Sequence, residues 1–142
     1  MKRCYIDGCV FCKILNGEIP SYKIFEDDFF CAILDINPIS KGHVLVFPKE
    51  HYVDIMDIPD NIQSRMYILV KKLTAHIDHV YNPEGFVINQ NNGEAAGQCV
   101  PHIHVHIKPI YKDTEIPEEE SYRHQYSDEE MKKIYEDLAL VE

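Results

Sequence analysis

Histidine and branched apolar residues alternate strictly in the stretch His102-Ile103-His104-Val105-His106-Ile107. Residues i, i+2 and i+4 of a β-strand face one side, so the pattern predicts a strand over 102–108 with three imidazoles in a row. The aliphatic side chains between them would enter the core from the opposite face. Because a row of imidazoles needs polar surroundings, we expect it to open onto a ligand site.

Such a row fits two kinds of site, besides a solvated strand face that is rich in histidine by chance. The imidazoles could hold a catalytic metal, because neutral histidine is a common ligand of transition metals. Alternatively, one ring is a nucleophile and its neighbour donates to a phosphate, which needs no metal. The preceding loop, residues 91–98, offers amides and two glycines that can hold phosphate oxygens without adding charge. The loop therefore favours phosphate chemistry.

Length and charge narrow the classes of function. A chain of 142 residues fits one domain, and no apolar run approaches the roughly 20 residues of a membrane span. The formal net charge of −10 disfavours nucleic-acid polymers but still allows a small nucleotide in one pocket. Because no signal-peptide pattern follows the N-terminus, we expect a cytoplasmic protein that does not bind membranes.

Local patterns predict the elements of an α+β fold. We expect a β-hairpin over 22–34 around the acidic turn Glu26-Asp27-Asp28, a strand over 43–47 ended by Pro48, and a further strand over 86–90. Apolar spacings of three and four predict a long helix over 60–81, stopped by Asn82-Pro83. A last helix begins at Ser127 with Glu130 in a capping box. Together these elements predict an antiparallel sheet of about five strands with one long helix and a C-terminal helix.

The five cysteines do not form a disulfide framework in this interpretation. Their number is odd, and only Cys9 and Cys12 have an informative spacing. That spacing is typical of a structural zinc knuckle or of a thioredoxin-like redox motif. The redox motif usually opens a helix within a βαβ unit, which is not apparent here.

Several motifs together resemble those of the histidine triad (HIT) superfamily. The signature part is Asn91-Asn92-Gly93, Ala96-Gly97-Gln98, Val100, the alternating histidines and Pro109. Upstream, Cys9 to Ile14, Gly17 to Pro20, Glu26 to Asp28, Asp35, Pro38, Gly42 to Val46, Pro48-Lys49 and His51 follow the order of its Hint-like bacterial branch. The resemblance covers residues 9–111 and implies a single HIT-like domain over 1–142, with a C-terminal extension and helix over 112–142.

The resemblance implies a covalent mechanism at His104. This histidine would attack the α-phosphorus of a purine nucleotide derivative containing AMP or GMP, such as a nucleoside phosphoramidate, and water would resolve the nucleotidyl-histidine. Its other ring nitrogen would be held by an acceptor such as a backbone carbonyl. His106 would donate to the phosphoryl or leaving-group side with support from Asn91, and N–H groups near Cys99 and Val100 would stabilise the oxyanion.

The same resemblance implies a nucleoside site. Asp35 would accept hydrogen bonds from the ribose hydroxyls, and His43 would lie beside the catalytic strand. The other implied binding residues are Val10, Phe11, Ile14, Ile33 and Ile36 around the purine, and Gly97, Gln98, Cys99 and Val100 in the loop. Cys99 stands where the family usually has Ser or Thr, so we expect slower turnover than a hydroxyl would give.

The resemblance also implies a structural Zn²⁺ held by Cys9, Cys12, His51 and His102, with Cys4 as a less favoured substitute ligand. It further implies a homodimer formed through the long helix and a sheet edge. Three alternatives stay open at this point: a dinucleoside polyphosphate hydrolase, a nucleotide-binding regulatory module with incidental turnover, and a metal-dependent hydrolase that uses all three strand histidines.

Overall fold

A computed structural model describes residues 8–112 and 125–141 of the chain. In these ranges, five strands form one antiparallel sheet in the order β1-β2-β3-β5-β4. The strands are β1 (Lys23–Glu26), β2 (Phe30–Leu34), β3 (Val44–Pro48), β4 (Gly85–Asn89) and β5 (Val105–Ile110). The helices are α1 (Val10–Leu15), α2 (Asp60–Tyr81) and α3 (Asp128–Leu138), and a 3₁₀ turn spans Glu94–Ala96. The predicted α+β class is confirmed.

The predicted hairpin and the two predicted helices are present. The Asp27 carboxylate accepts the backbone N–H groups of Phe29 and Phe30 at 2.8 and 2.7 Å, which closes the turn between β1 and β2. Asn82 ends α2 in the left-handed region with φ +49°. Ser127 and Glu130 form the reciprocal capping box of α3.

The two faces of the sheet bury different groups. The first face packs against α2 and α3, and the aliphatic residues between the three histidines lie there: Ile103, Val105 and Ile107. The second face carries α1, where Phe11 stacks on Phe47 with ring centroids 4.4 Å apart. Because α1 covers only part of this face, the rest of it can border a cavity.

The predicted strand over 102–108 is wrong at its beginning, because β5 starts at Val105. Before that point, the N–H of Ile103 donates to the carbonyl of Tyr52 at 2.7 Å instead of joining the ladder with β3. Alternation between the faces nevertheless continues through the irregular residues, so the histidines stay on one side. The boundaries of β3 and β4 each differ from the prediction by one residue, and Pro48 ends β3 as its last member.

Helix α1 was not predicted from the sequence. It spans six residues with Cys9 at its N-cap, and it is too short to show a helical period. The C-terminal extension that the resemblance implies from residue 112 falls largely on residues 113–124, which lie outside the described ranges. Within the described ranges, no helix is long and apolar enough to cross a membrane.

Candidate active site and metal cluster

A cavity of about 540 Å³ opens on the second face of the sheet, between α1, the end of β2 and the loop before His102. Eleven of the residues that the resemblance assigns to catalysis or nucleotide binding line it: Val10, Phe11, Ile14, Ile33, Asp35, Ile36, Gly97, Cys99, Val100, His104 and His106. Its walls are mainly apolar, and the imidazoles of His104 and His106 are among the lining groups. The cavity therefore has the size of a small-molecule site and offers imidazole nitrogens to a polar ligand.

His104 is held with one ring nitrogen turned to the backbone. Its Nδ1 lies 2.8 Å from the carbonyl oxygen of His102, and a carbonyl only accepts, so Nδ1 carries the proton of the neutral ring. Nε2 therefore has the lone pair. The ring packs edge-on against Phe11 with centroids 5.0 Å apart and is only 8% exposed. The expected backbone acceptor for His104 is present, and the ring is oriented as a nucleophile requires.

His106 has the opposite tautomer because of a chain of hydrogen bonds. The N–H of Ile39 donates to Nδ1 of His43 at 3.0 Å, so the proton of the His43 ring is on Nε2. That Nε2 lies 2.9 Å from Nδ1 of His106 and donates to it. The proton of His106 is consequently on Nε2. One ring of the pair thus offers a lone pair and the other an N–H.

Asp35, His43 and His106 have donor atoms within 4.8 Å of one another, a spacing that a metal ion could use. The atom of His43 that faces this group is Nε2, 3.6 Å from Oδ2 of Asp35. This Nε2 carries the ring proton, because Nδ1 already accepts from Ile39. A metal at this Nε2 would force the ring proton onto Nδ1, where it would face the N–H of Ile39 and break that hydrogen bond. The donor chemistry therefore favours a hydrogen-bonded chain over a metal centre.

The loop before His102 is shaped by two amide side chains that do not line the cavity. Gln98 accepts from the N–H of Gly93 at 2.7 Å and donates to the carbonyls of Val53 and Val100 at 2.6 and 3.0 Å. Asn91 donates to the carbonyl of Ala96 at 2.7 Å. These bonds hold the two ends of the loop together. Gln98 and Asn91 thus position the loop that forms one wall of the cavity.

Four buried side chains, one of them the first histidine of the row, form a second cluster. Cys9, Cys12, His51 and His102 each have a donor atom within 4.8 Å of the other three. The S···N separations are 3.4 Å for Cys9 and His102, 3.4 Å for Cys12 and His51, and 3.7 Å for Cys12 and His102. Tetrahedral Zn²⁺ with ordinary Zn–S and Zn–N bonds separates S and N ligands by about 3.6 Å. The residues present therefore fit zinc.

The environment of His102 also suits a metal ligand. Its Nε2 lies 2.8 Å from the carbonyl of Pro48 and must donate to it, so the lone pair is on Nδ1, which faces the two thiols. Burial lowers the pKa of His102 to about 4, so the ring is neutral at physiological pH. Burial raises the pKa of the Cys9 thiol, which makes its deprotonation unfavourable. A bound cation would offset this cost by stabilising the thiolate. None of the described cysteines is in a disulfide, and Cys4 lies outside the described residues.

The structure brings most of the expected site residues together, but not in one group. His102 belongs to the cysteine cluster, His104 and His106 border the cavity, and His43 lies behind His106. Asn91 bonds to Ala96 and to Asn89, whereas Asn89 is the residue directly opposite His106 in the ladder of β4 and β5. Six further residues line the cavity and were not predicted from the sequence: Ile19, Pro20, Ser21, Leu34, Asn37 and Leu45. Leu34 and Asn37 could have been inferred, because they are next to residues already assigned to the site. No sequence motif indicates that Asn89 lies opposite His106.

A family model described as the HIT domain matches residues 16–113. The chain belongs to the HIT family. An uncharacterized HIT-like protein of Methanocaldococcus jannaschii is 42% identical over 127 residues, which cover 89% of this chain and 98% of that protein. The adenosine 5′-monophosphoramidase of Candida albicans is 45% identical over 106 residues, 72% of this chain and 70% of that enzyme.

Solved HIT structures share the fold. The crystal structure of a zinc-bound histidine triad family protein from Mycobacterium smegmatis has a TM-score of 0.79 and 33% sequence identity, covering 92% of this chain and 93% of that one. The HIT sheet and helices are therefore the architecture of this protein. The expected superfamily is confirmed.

Proposed function

We propose that the protein is a nucleotide hydrolase that cleaves purine nucleoside phosphoramidates, with AMP or GMP as the nucleotide, at the α-phosphorus. The observation that carries the proposal is the pair of tautomers of His104 and His106, which both line the cavity. The carbonyl of His102 leaves His104 with its lone pair on Nε2, and His43 leaves His106 with its N–H on Nε2. A nucleophile and a donor side by side suit attack on phosphorus.

In the first step, Nε2 of His104 forms a bond to phosphorus and the P–N bond to the leaving amine breaks. The leaving nitrogen takes the electron pair of that bond and a proton from solvent, while the N–H of His106 stabilises the charge that develops on the departing side. In the second step, water attacks phosphorus and the bond to His104 breaks. The nucleoside monophosphate leaves, a proton passes to solvent, and His104 is regenerated.

The nucleoside would occupy the apolar part of the cavity. Asp35 lines it, and its Oδ1 accepts the N–H of Asn37 at 2.8 Å, which orients the carboxylate. The second carboxylate oxygen lies near His43, toward the imidazoles. A ribose placed between the purine pocket and His104 would meet this carboxylate. Similarity to the adenosine 5′-monophosphoramidase of C. albicans supports the same class of substrate.

We assign a structural role to zinc in the cluster of Cys9, Cys12, His51 and His102. Four protein ligands would close the coordination shell, so the metal would stabilise the fold and leave no position for substrate. It would tie α1 to the segment just before β5. Because the carbonyl of His102 holds His104, this tie would also steady the nucleophile.

We propose a homodimer formed through β4 and α2. In the described sheet, β4 is an edge strand, and its Ile88 is 42% exposed on the face that carries α2. Tyr67 on α2 is 39% exposed. An apolar edge strand is a template for pairing with another chain. Sedimentation velocity tests this proposal: a twofold mass is expected for the parent chain and a monomer for Ile88→Lys, whereas a monomeric parent contradicts it.

Trapping the covalent intermediate tests the proposed chemistry. The protein is mixed with adenosine and guanosine phosphoramidates and with dinucleoside polyphosphates, quenched in acid-free denaturant, and digested for peptide mass spectrometry. We expect a nucleotidyl group on His104 and faster turnover of the phosphoramidates. His104→Ala should lose turnover and keep most of its affinity for AMP. Full turnover in that variant would overturn the proposal, and faster turnover of the polyphosphates would assign the other substrate class.

A further inference from the structure

The turn that carries His43 is attached to the end of β5. The hydroxyl of Ser40 donates to the carbonyl of Pro109 at 2.5 Å, and the hydroxyl of Tyr111 donates to the carbonyl of Lys41 at 2.6 Å. The N–H of His43 closes the turn on the carbonyl of Ser40 at 3.2 Å. The position of the His43 ring therefore depends on a turn that other elements hold in place.

The ring of Tyr81, the last residue of α2, packs against this turn. Gly42 has φ +89°, and a Cβ added there would lie 3.3 Å from two ring carbons of Tyr81. Only glycine combines this conformation with so close an approach. The ammonium of Lys41 lies 4.3 Å from the centroid of the same ring. Two consecutive residues of the turn thus pack directly on Tyr81, immediately before His43.

Tyr81 is in turn held by α3. Its hydroxyl donates to Oδ2 of Asp137 at 2.9 Å, and burial followed by the Asp137 hydrogen bond raises its pKa well above the usual range, so it remains a donor. The imidazole of His76, on the preceding turns of α2, lies 3.0 Å from the carbonyl of Leu138. Helix α3 is therefore fastened to the last turns of α2. It lies beyond residue 113, where the match to the HIT domain ends.

We propose that Tyr81, fixed by Asp137 of α3, is a positioning residue for His43 and through it for the N–H of His106. The proposal rests on the proposed function, because it assigns these residues to the donor side of that reaction. The path is continuous: Asp137 orients the Tyr81 ring, the ring supports the turn at Gly42, and the turn aims Nε2 of His43 at Nδ1 of His106, 2.9 Å away. The C-terminal helix thus contributes to catalysis without touching substrate.

A positioning role and a purely structural role predict a different dependence of the reaction rate on the leaving group. A hydrogen bond to the departing side matters most when the leaving group is basic, as an alkylamine is, and least when it is 4-nitrophenolate. Tyr81→Phe keeps the ring and removes its hydroxyl, and Asp137→Leu removes the acceptor. Tyr135→Phe is the matched control, because this α3 tyrosine packs against Tyr22 instead of the turn.

Steady-state rates are measured for adenosine 5′-alkylphosphoramidate and for the 4-nitrophenyl ester of AMP. Outright loss of the hydrogen bond from His43 to His106 would lower the rate about fivefold, so a misplaced donor in either variant should lower kcat for the amine substrate by up to about fivefold. We expect KM, and kcat for the nitrophenyl ester, to stay at the parent values, and Tyr135→Phe to match the parent on both substrates.

Equal losses on both substrates, or no loss on either, would overturn the positioning role. His104→Ala is measured in parallel to separate this result from a failure of the proposed function. If that variant retains turnover, the reaction itself is wrongly assigned and the positioning proposal falls with it. If it is inactive while the two substrates respond equally to Tyr81→Phe, only the positioning role is lost.

Discussion

Nε2 of His43 lies 2.9 Å from Nδ1 of His106, across 63 residues of sequence. The contact sets the tautomer of His106, because the backbone N–H of Ile39 occupies the other nitrogen of His43. The contact therefore favours the tautomer in which His106 presents an N–H from Nε2. Two substitutions at His43 test the hydrogen bond made by Nε2 separately from the one made by Nδ1.

His43→Gln keeps a donor near the position of Nε2, whereas His43→Asn keeps only an acceptor near Nδ1. A single hydrogen bond contributes about 1 kcal/mol, so we expect His43→Asn to lower kcat for an alkylphosphoramidate about fivefold. His43→Gln should retain most of the parent rate. The measurement is steady-state kinetics of the three proteins at one pH. A lower rate for the glutamine variant than for the asparagine variant would contradict the assigned tautomers.

Asp35→Asn tests the ribose contact. A hydrogen bond to a charged acceptor contributes about 1.5–3 kcal/mol, so we expect the Kd for AMP to rise roughly 10- to 100-fold. Isothermal titration with AMP and with 2′-deoxy-AMP forms a double-mutant cycle. The parent should discriminate between the two ligands, and the variant should not. Equal discrimination by both proteins would show that Asp35 does not contact the ribose.

Cys99→Ser should raise the rate of α-phosphate cleavage. Cys99 lines the cavity, and its thiol is a weaker donor than a hydroxyl toward a phosphate oxygen. Cys99→Ala, which offers no donor, is the matched control and should be no faster than the parent. The check is kcat for the phosphoramidate under saturating conditions. An unchanged or lower rate in the serine variant contradicts the prediction.

Cys12→Ser should remove the zinc and destabilise the fold. The side chain of Cys12 is fully buried between His51 and His102, and structural zinc contributes on the order of several kcal/mol to folding. Native mass spectrometry should show one zinc per parent chain and none in the variant, with a lower Tm.

Cys31→Ala is the control for this experiment, because Cys31 is also fully buried but is not part of the cluster. It should keep the metal. A parent protein isolated without zinc, with Cys9 and Cys12 both open to alkylation, would reject the assignment.

Patterns within a few neighbouring residues were sufficient to predict much of the fold. The spacing of apolar residues in α2, the acidic turn after β1 and the capping box of α3 each depend on neighbours within a few residues. Alternation also places the three histidines on one face, because it needs only extended backbone. The start of β5 could not be obtained in this way, since the backbone of Ile103 is bonded to Tyr52, 51 positions earlier.

The roles of the three imidazoles depend on contacts that no local pattern contains. In the sequence, they are equivalent members of one alternation. In the folded chain, Pro48 turns His102 toward the thiols, the backbone of His102 sets His104, and Ile39 sets His106 through His43. Periodicity determines which face a side chain occupies, because it reflects backbone geometry alone. The protonated nitrogen is determined by whichever donor or acceptor tertiary packing brings against each ring.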